Sequence, residues 1–101
     1  MNVISESALK RFWEIHSESK IGLKRWYTQA KQANWRSFQD VRDTFPSADL
    51  VANFVVFNIG GNNYRLITFI DFQAGKLFIR NVLTHAEYDK ERWKQDDWYK
   101  S

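Results

Sequence analysis

The stretch from Val56 to Asp89, VFNIGGNNYRLITFIDFQAGKLFIRNVLTHAEYD, constrains the fold more than any other part of the chain. It reads as three apolar strands joined by two glycine-bearing turns and followed by a helix start. The first strand, from Phe54 to Ile59, is apolar apart from Asn58, and Gly60-Gly61-Asn62-Asn63 supplies the positive φ values of a hairpin. From Tyr64 to Phe72 the pattern alternates. Tyr64, Leu66, Thr68, Ile70 and Phe72 fall on one face; Arg65, Ile67, Phe69 and Asp71 fall on the other. Beyond a turn at Gly75, Lys76 to Leu83 alternates again. Both faces carry apolar side chains, so most of the sheet needs cover on both sides. Thr84-His85-Ala86-Glu87 is a capping box, which predicts a helix running through Tyr88 and Trp93.

Upstream the spacing is helical. Ala8, Leu9, Phe12, Trp13 and His16 share one face of a helix predicted over Glu6 to His16, with Ser5 as N-cap. Leu23, Trp26, Tyr27, Ala30 and Ala33 form the stripe of a second helix, Lys20 to Ala33. Ser37-Phe38-Gln39-Asp40 caps a short third helix, which Pro46 ends by disfavouring helix geometry at Phe45. Met1 to Ile4 reads as a short first strand, and Ser47 to Asn53 as a polar link. Helices followed by a strand meander predict one α+β domain over residues 1–101. Its N-terminal helices pack on a small, mainly antiparallel sheet, and a short helix closes the chain.

Composition narrows the function classes. The chain has no cysteine, which removes disulfides and thiolate metal sites. The two histidines stand far apart with no carboxylate in metal spacing, so neither a metal nor another cofactor is expected. No window approaches the ~20 apolar residues of a membrane span, and the first residues lack a signal-peptide core. A cytoplasmic protein without membrane contact is the expectation. A net charge of +3 permits an anionic partner without requiring one.

Chemistry-bearing residues gather where the strands stop. His85, at a helix start, sits where backbone N–H groups attract an anion, and a histidine there can take or give a proton. The plainer reading is a polar surface residue. Tyr88, three residues on, is on the same helical side and suits base stacking, proton transfer or core packing. Asp89 is placed either to orient His85 or to cap nothing in particular. A two-residue Ala74-Gly75 loop would set Phe69 opposite Arg80 and Arg65 opposite Thr84, uniting both arginines and His85 on one face. A three-residue loop would put the arginines on opposite faces. Either arginine suits a phosphate; the plainer alternative is a structural bridge to Asp71, Asp89 or Glu87. Lys76 and Lys90 complete the set of candidate phosphate-binding cations, with Arg80.

Two spaced motifs then resemble a known family. Val56-Phe57-Asn58-Ile59-Gly60-Gly61-Asn62 with Tyr64-Arg65-Leu66, and Ile79-Arg80 with Thr84-His85 and Glu87-Tyr88-Asp89, look like the HigB-type toxins of the RelE superfamily. The resemblance implies a compact RelE-like fold and a toxin that cuts messenger RNA in the ribosomal A site. It also implies attack of the ribose 2′-hydroxyl without a metal. The partner would be a HigA-type helix-turn-helix antitoxin, and operator DNA would be met only through the complex. Arg65 matches the strand arginine that holds the scissile phosphate, His85 the acid–base position after the last strand, and Tyr88 the C-terminal tyrosine. One departure stands out: the RelE prototype has lysines before and within its second strand, whereas Asp49 to Asn58 contains no basic residue. A non-catalytic RNA- or protein-binding module that inhibits translation by blocking is the alternative reading.

Overall fold

A computed structural model describes residues 1–100; Ser101, the end of the predicted domain and tail, lies outside the described residues. The elements run β1 (Asn2–Ile4), α1 (Ser7–Ile15), α2 (Lys20–Gln32), α3 (Phe38–Thr44), β2 (Asp49–Val51), β3 (Phe54–Ile59), β4 (Tyr64–Asp71), β5 (Lys76–Thr84) and α4 (His85–Asp89). Single 3₁₀ turns cover Ser17–Ser19 and Arg92–Gln95. The five strands form one sheet in the order β1-β5-β4-β3-β2. Its one parallel pair is β1 with β5, so the α+β, mainly antiparallel expectation holds. No helix among the described residues is long and apolar enough to cross a membrane.

The sheet is covered twice. On one face α1, α2 and α3 bury Leu9, Leu23, Trp26, Ala30 and Val41 against Phe57, Leu66 and Leu77. Trp26 meets Phe57 edge-on at 5.3 Å between ring centres. Loss of so large a buried ring costs about 3–5 kcal/mol. Gly22 lets α2 approach β3 closely, because a Cβ there would stand 3.0 Å from Ile59 Cγ2 and 3.3 Å from the Gly60 amide nitrogen. On the other face the C-terminal segment folds back. Trp93, Trp98 and Tyr99 cover Phe54, Val56, Ile67 and Leu83, and Asn53 fixes the return by donating to the carbonyls of Tyr99 and Trp98.

Several local expectations need correction. Ser5 is not an N-cap: it adopts φ 71° to turn the chain out of β1, and α1 begins at Ser7 with no side-chain cap. The Ser47 to Asn53 link contains β2, which pairs antiparallel with β3. The helix from His85 stops at Asp89. Glu91 takes φ 60° and breaks it, which lets Trp93 swing under the sheet and donate its indole N–H to the Tyr88 carbonyl. The caps at Ser37 and Thr84 are as expected; Thr84 and Glu87 form the full reciprocal box.

Candidate functional site

Register decides where the arginines go. Neither loop length considered above is present. The β4–β5 turn spans Phe72 to Gly75, and pairing starts at Asp71 opposite Lys76. It shifts by one residue between Thr68, opposite Ile79, and Ile67, opposite Asn81, so Arg80 sits unpaired in a β-bulge. Arg65 therefore faces Leu83, and Tyr64 faces Thr84. The bulge re-aims the strand locally. Both arginines end on the face away from the long helices, each against an aromatic ring of the C-terminal segment.

Arg65 is buried, with 8% of its surface exposed. Its Nη1 donates to the carbonyls of Asn62 and Tyr64, both at 3.1 Å, and its Nη2 donates to Asn62 Oδ1. A guanidinium has five N–H groups; these bonds use three and leave Nε–H and one Nη2–H. All three acceptors are neutral, so the charge has no hydrogen-bonded carboxylate. The cation lies 5.3 Å from the centre of the Tyr88 ring, a separation suited to cation–π attraction. Tyr88 itself stacks on Trp93 at 5.1 Å with planes 10° apart. Burial, and next the negative charge of Asp49, push the Tyr88 hydroxyl above its ordinary range, with Arg65 opposing. At neutral pH that hydroxyl is a proton donor.

Arg65 and Tyr88 line a hollow of about 320 Å³. The other walls come from Arg42 on α3, Ser47 and Ala48 after it, Asp49 on β2, and Val56 and Asn58 on β3. Arg42 is exposed and donates from Nη2 to the Pro46 carbonyl at 3.1 Å. It brings a second guanidinium to the hollow from outside the strand that lacks basic residues. Sequence reading missed Arg42 and Asp49. Neither lies in a motif, and a three-residue strand is too short to show alternation.

His85 is close in the chain but outside this hollow. Its backbone N–H donates to the Asn63 carbonyl at 3.0 Å, next to the turn that holds Arg65. Its Nδ1 lies 2.9 Å from Asp89 Oδ2, so Asp89 does orient the ring, and Nε2 is the nitrogen left for an outside partner. The helix it opens has only five residues and so a small dipole. The structure thus brings Arg65 and Tyr88 into contact, with His85 one helical turn from Tyr88 along α4.

The remaining cations lie elsewhere. Arg80 donates from Nε and Nη2 to the two carboxylate oxygens of Asp96, at 2.9 and 2.8 Å, and lies 3.9 Å from the centre of the Trp98 ring. Hydrogen bonding from Arg80 holds the Asp96 carboxyl below its ordinary range. The bridge is structural, and its partner is none of the three acids considered from sequence. Lys76 begins β5 and lies ~26 Å from Thr84 along the strand at ~3.3 Å per residue. Lys90 follows α4, exposed, beside a separate hollow that includes Asn81, Glu87 and Arg92. Among the described residues no three His, Cys, Asp or Glu side chains gather as a metal site.

Residues 19–91 match the HigB toxin family, described as the RelE-like toxic component of a toxin–antitoxin system. The chain belongs to the HigB toxin family. It is 32% identical over 92 residues to the mRNA interferase toxin HigB of Escherichia coli K12, covering 88% of each chain. The same identity holds for the mRNA interferase HigB of Shigella flexneri. The mRNA interferase HigB of Escherichia coli O6:H1 is 28% identical over 93 residues, covering 89% of this chain and 90% of the relative. The HigB match contains Arg42, Asp49, Arg65, His85 and Tyr88, and it stops at Glu91, before Asp96 and Trp98. Membership makes this HigB-family chain the toxic component of a toxin–antitoxin pair, with an antitoxin as its partner.

Proposed function

We propose that the chain is a ribosome-dependent endoribonuclease that cuts messenger RNA in the A site. The support is a buried arginine with no hydrogen-bonded carboxylate, two N–H groups to spare and a tyrosine on its face, in a chain whose relatives are named mRNA interferases. In this reading the scissile phosphate enters the hollow, and Arg65, with Arg42, balances the negative charge that grows on its oxygens. The ribose 2′-oxygen, at the mouth of the hollow on the α4 side, forms the new bond to phosphorus and gives its proton to His85 Nε2, which stands outside the hollow. The bond to the 5′-oxygen breaks, and that oxygen takes a proton from the Tyr88 hydroxyl. The products are a 2′,3′-cyclic phosphate and a 5′-hydroxyl end.

No step in this route requires a metal or cofactor. Arg80, held by Asp96, supports the face that carries Tyr88. Lys76 and Lys90, exposed and away from the hollow, serve as outer phosphate contacts along the RNA. The partner antitoxin is a HigA-type helix-turn-helix protein, through which the pair meets operator DNA, and the toxin acts in the cytoplasm.

The test maps messenger RNA 5′ ends after induction of the wild type, Arg65→Ala and His85→Ala, with and without translation blocked. Cuts within ribosome-occupied codons, persistent in EDTA in a purified reaction and lost in both folded variants, are expected. Growth arrest that is equal for the wild type and a folded Arg65→Ala protein, without new 5′ ends, would sink the nuclease reading and leave a blocking module.

A further inference from the structure

A second surface lies on the opposite side of the molecule, between α1 and α2. There Leu9, Trp13 and Tyr27 form the apolar floor of a groove of about 320 Å³, with Lys10 and Lys24 among its lining residues. Its one lining carboxylate, Glu6, is taken up by the Tyr27 hydroxyl, which donates to it. Ile21, one turn before Lys24, is 74% exposed and carries the apolar strip onward.

Charge is distributed unevenly between the two sides. Residues 1–33 hold six Lys and Arg against three Asp and Glu, whereas the rest of the chain holds nine of each. The ion pairs found among the described residues, Arg80–Asp96, His85–Asp89 and Lys94–Glu91, all lie in the C-terminal part. None of the six cations of residues 1–33 is within bridging distance of a described carboxylate. Lys24 instead sits 5.6 Å from the Trp13 ring centre and Lys31 5.4 Å from that of Tyr27.

We propose that this groove docks an acidic segment of the partner antitoxin, one that inserts an apolar side chain between α1 and α2 and sets carboxylates against Lys10 and Lys24. A single leucine or aromatic side chain fits a groove of this size, and its entry would remove Trp13 and Tyr27 from water. RNA suits the groove less well. Base stacking needs open ring faces, and lysine heads already lie over both rings. Docking here leaves the Arg65 hollow free for a different part of the antitoxin. The proposal rests on family membership and not on the nuclease reading.

The experiment titrates this chain with its partner antitoxin, by calorimetry at two salt concentrations. The panel is the wild type, Lys10→Glu/Lys24→Glu, Trp13→Ala, and Arg42→Glu as a control at the other site, each checked for its fold by thermal melting. The double reversal is expected to weaken binding about tenfold or more at low salt and to flatten the salt dependence, as lost charge steering does. Trp13→Ala should weaken binding at both salt concentrations. Unchanged affinity in the folded double reversal, with loss only in Arg42→Glu, overturns the proposal and places the antitoxin on the hollow. The same panel is sedimented with ribosomes, and intact antitoxin binding with loss of co-sedimentation in the folded double reversal overturns the proposal in favour of RNA. Because RNA cleavage enters none of these readouts, a failed nuclease reading leaves them interpretable.

Discussion

Arg65 and Arg80 sit on the same face of the same sheet, and each lies against an aromatic ring of the returning C-terminal segment. They differ in what accepts their hydrogen bonds. Arg80 gives two donors to one carboxylate, so its charge is spent inside the molecule. Arg65 gives three donors to amide oxygens and keeps both its charge and two N–H groups. The same side chain in near-equivalent settings therefore becomes a brace in one place and, in the mechanism proposed above, the anion receptor in the other. Acceptor chemistry, more than strand position, separates the two roles.

The comparison breaks first, if it breaks, at Arg65. Arg65→Ala should lower the rate of RNA cleavage on the ribosome by about 10²–10³-fold, the loss typical for one removed charge-stabilising donor. Arg80→Ala, measured on the folded fraction, should change that rate by less than about fivefold, the effect of a group outside the reacting atoms. Equal losses in both would mean that Asp96 releases Arg80 when RNA arrives. Arg65→Lys sharpens the point: a lysine keeps the charge but loses the planar fork, so a rate near that of Arg65→Ala is expected.

Tyr88→Phe comes next in size. Phenylalanine keeps the ring against Arg65 and stacked on Trp93, and removes only the hydroxyl. A drop of about a hundredfold is expected if that oxygen delivers a proton to the leaving group. A mere stacking platform would leave the rate nearly unchanged, so the substitution separates the two roles read from sequence. The hydroxyl is held protonated by burial and by Asp49. Asp49→Asn should therefore lower the alkaline limit of activity in the wild-type background and have no such effect in Tyr88→Phe.

Much of this geometry was legible, and the rest was not for identifiable reasons. Alternation located β4 and β5, and cap chemistry located the starts of α3 and α4, because both signals are local. Arg65, His85 and Tyr88 were picked out by position at strand and helix ends. Their relation was not, because it hinges on a four-residue turn and a bulge at Arg80 that shift the register twice. A one-residue slip reverses every facing side chain, so pairing inferred from loop length alone is fragile. Asp96 escaped notice as a partner because the break at Glu91 is tertiary in origin: Trp93 gains burial by turning under the sheet. Arg42 and Asp49 reach the hollow only once β2 docks on β3, a long-range event with little local signature.

The smallest effects test the brace. Asp96→Asn leaves Arg80 with a neutral acceptor and should cost about 1–3 kcal/mol of stability at pH 7, the range for hydrogen bonds to a charged group in a partly exposed setting. The pH dependence fixes the cause. Asp96 has its folded value below the ordinary 3.8, because Arg80 donates to the ionised form. The folded state thus binds that proton less readily than the unfolded chain does, and the pair's contribution is fully present above the unfolded value. It is lost as pH falls through the folded one. The gap between wild type and Asp96→Asn in urea midpoints should be constant from pH 7 to about 5 and then close progressively below about pH 4. A gap that persists undiminished at pH 2 would mean that the carboxylate's charge contributes nothing and that the loss comes from seating the amide NH₂ group, since the amide oxygen of the substituted side chain still accepts from the Trp98 N–H.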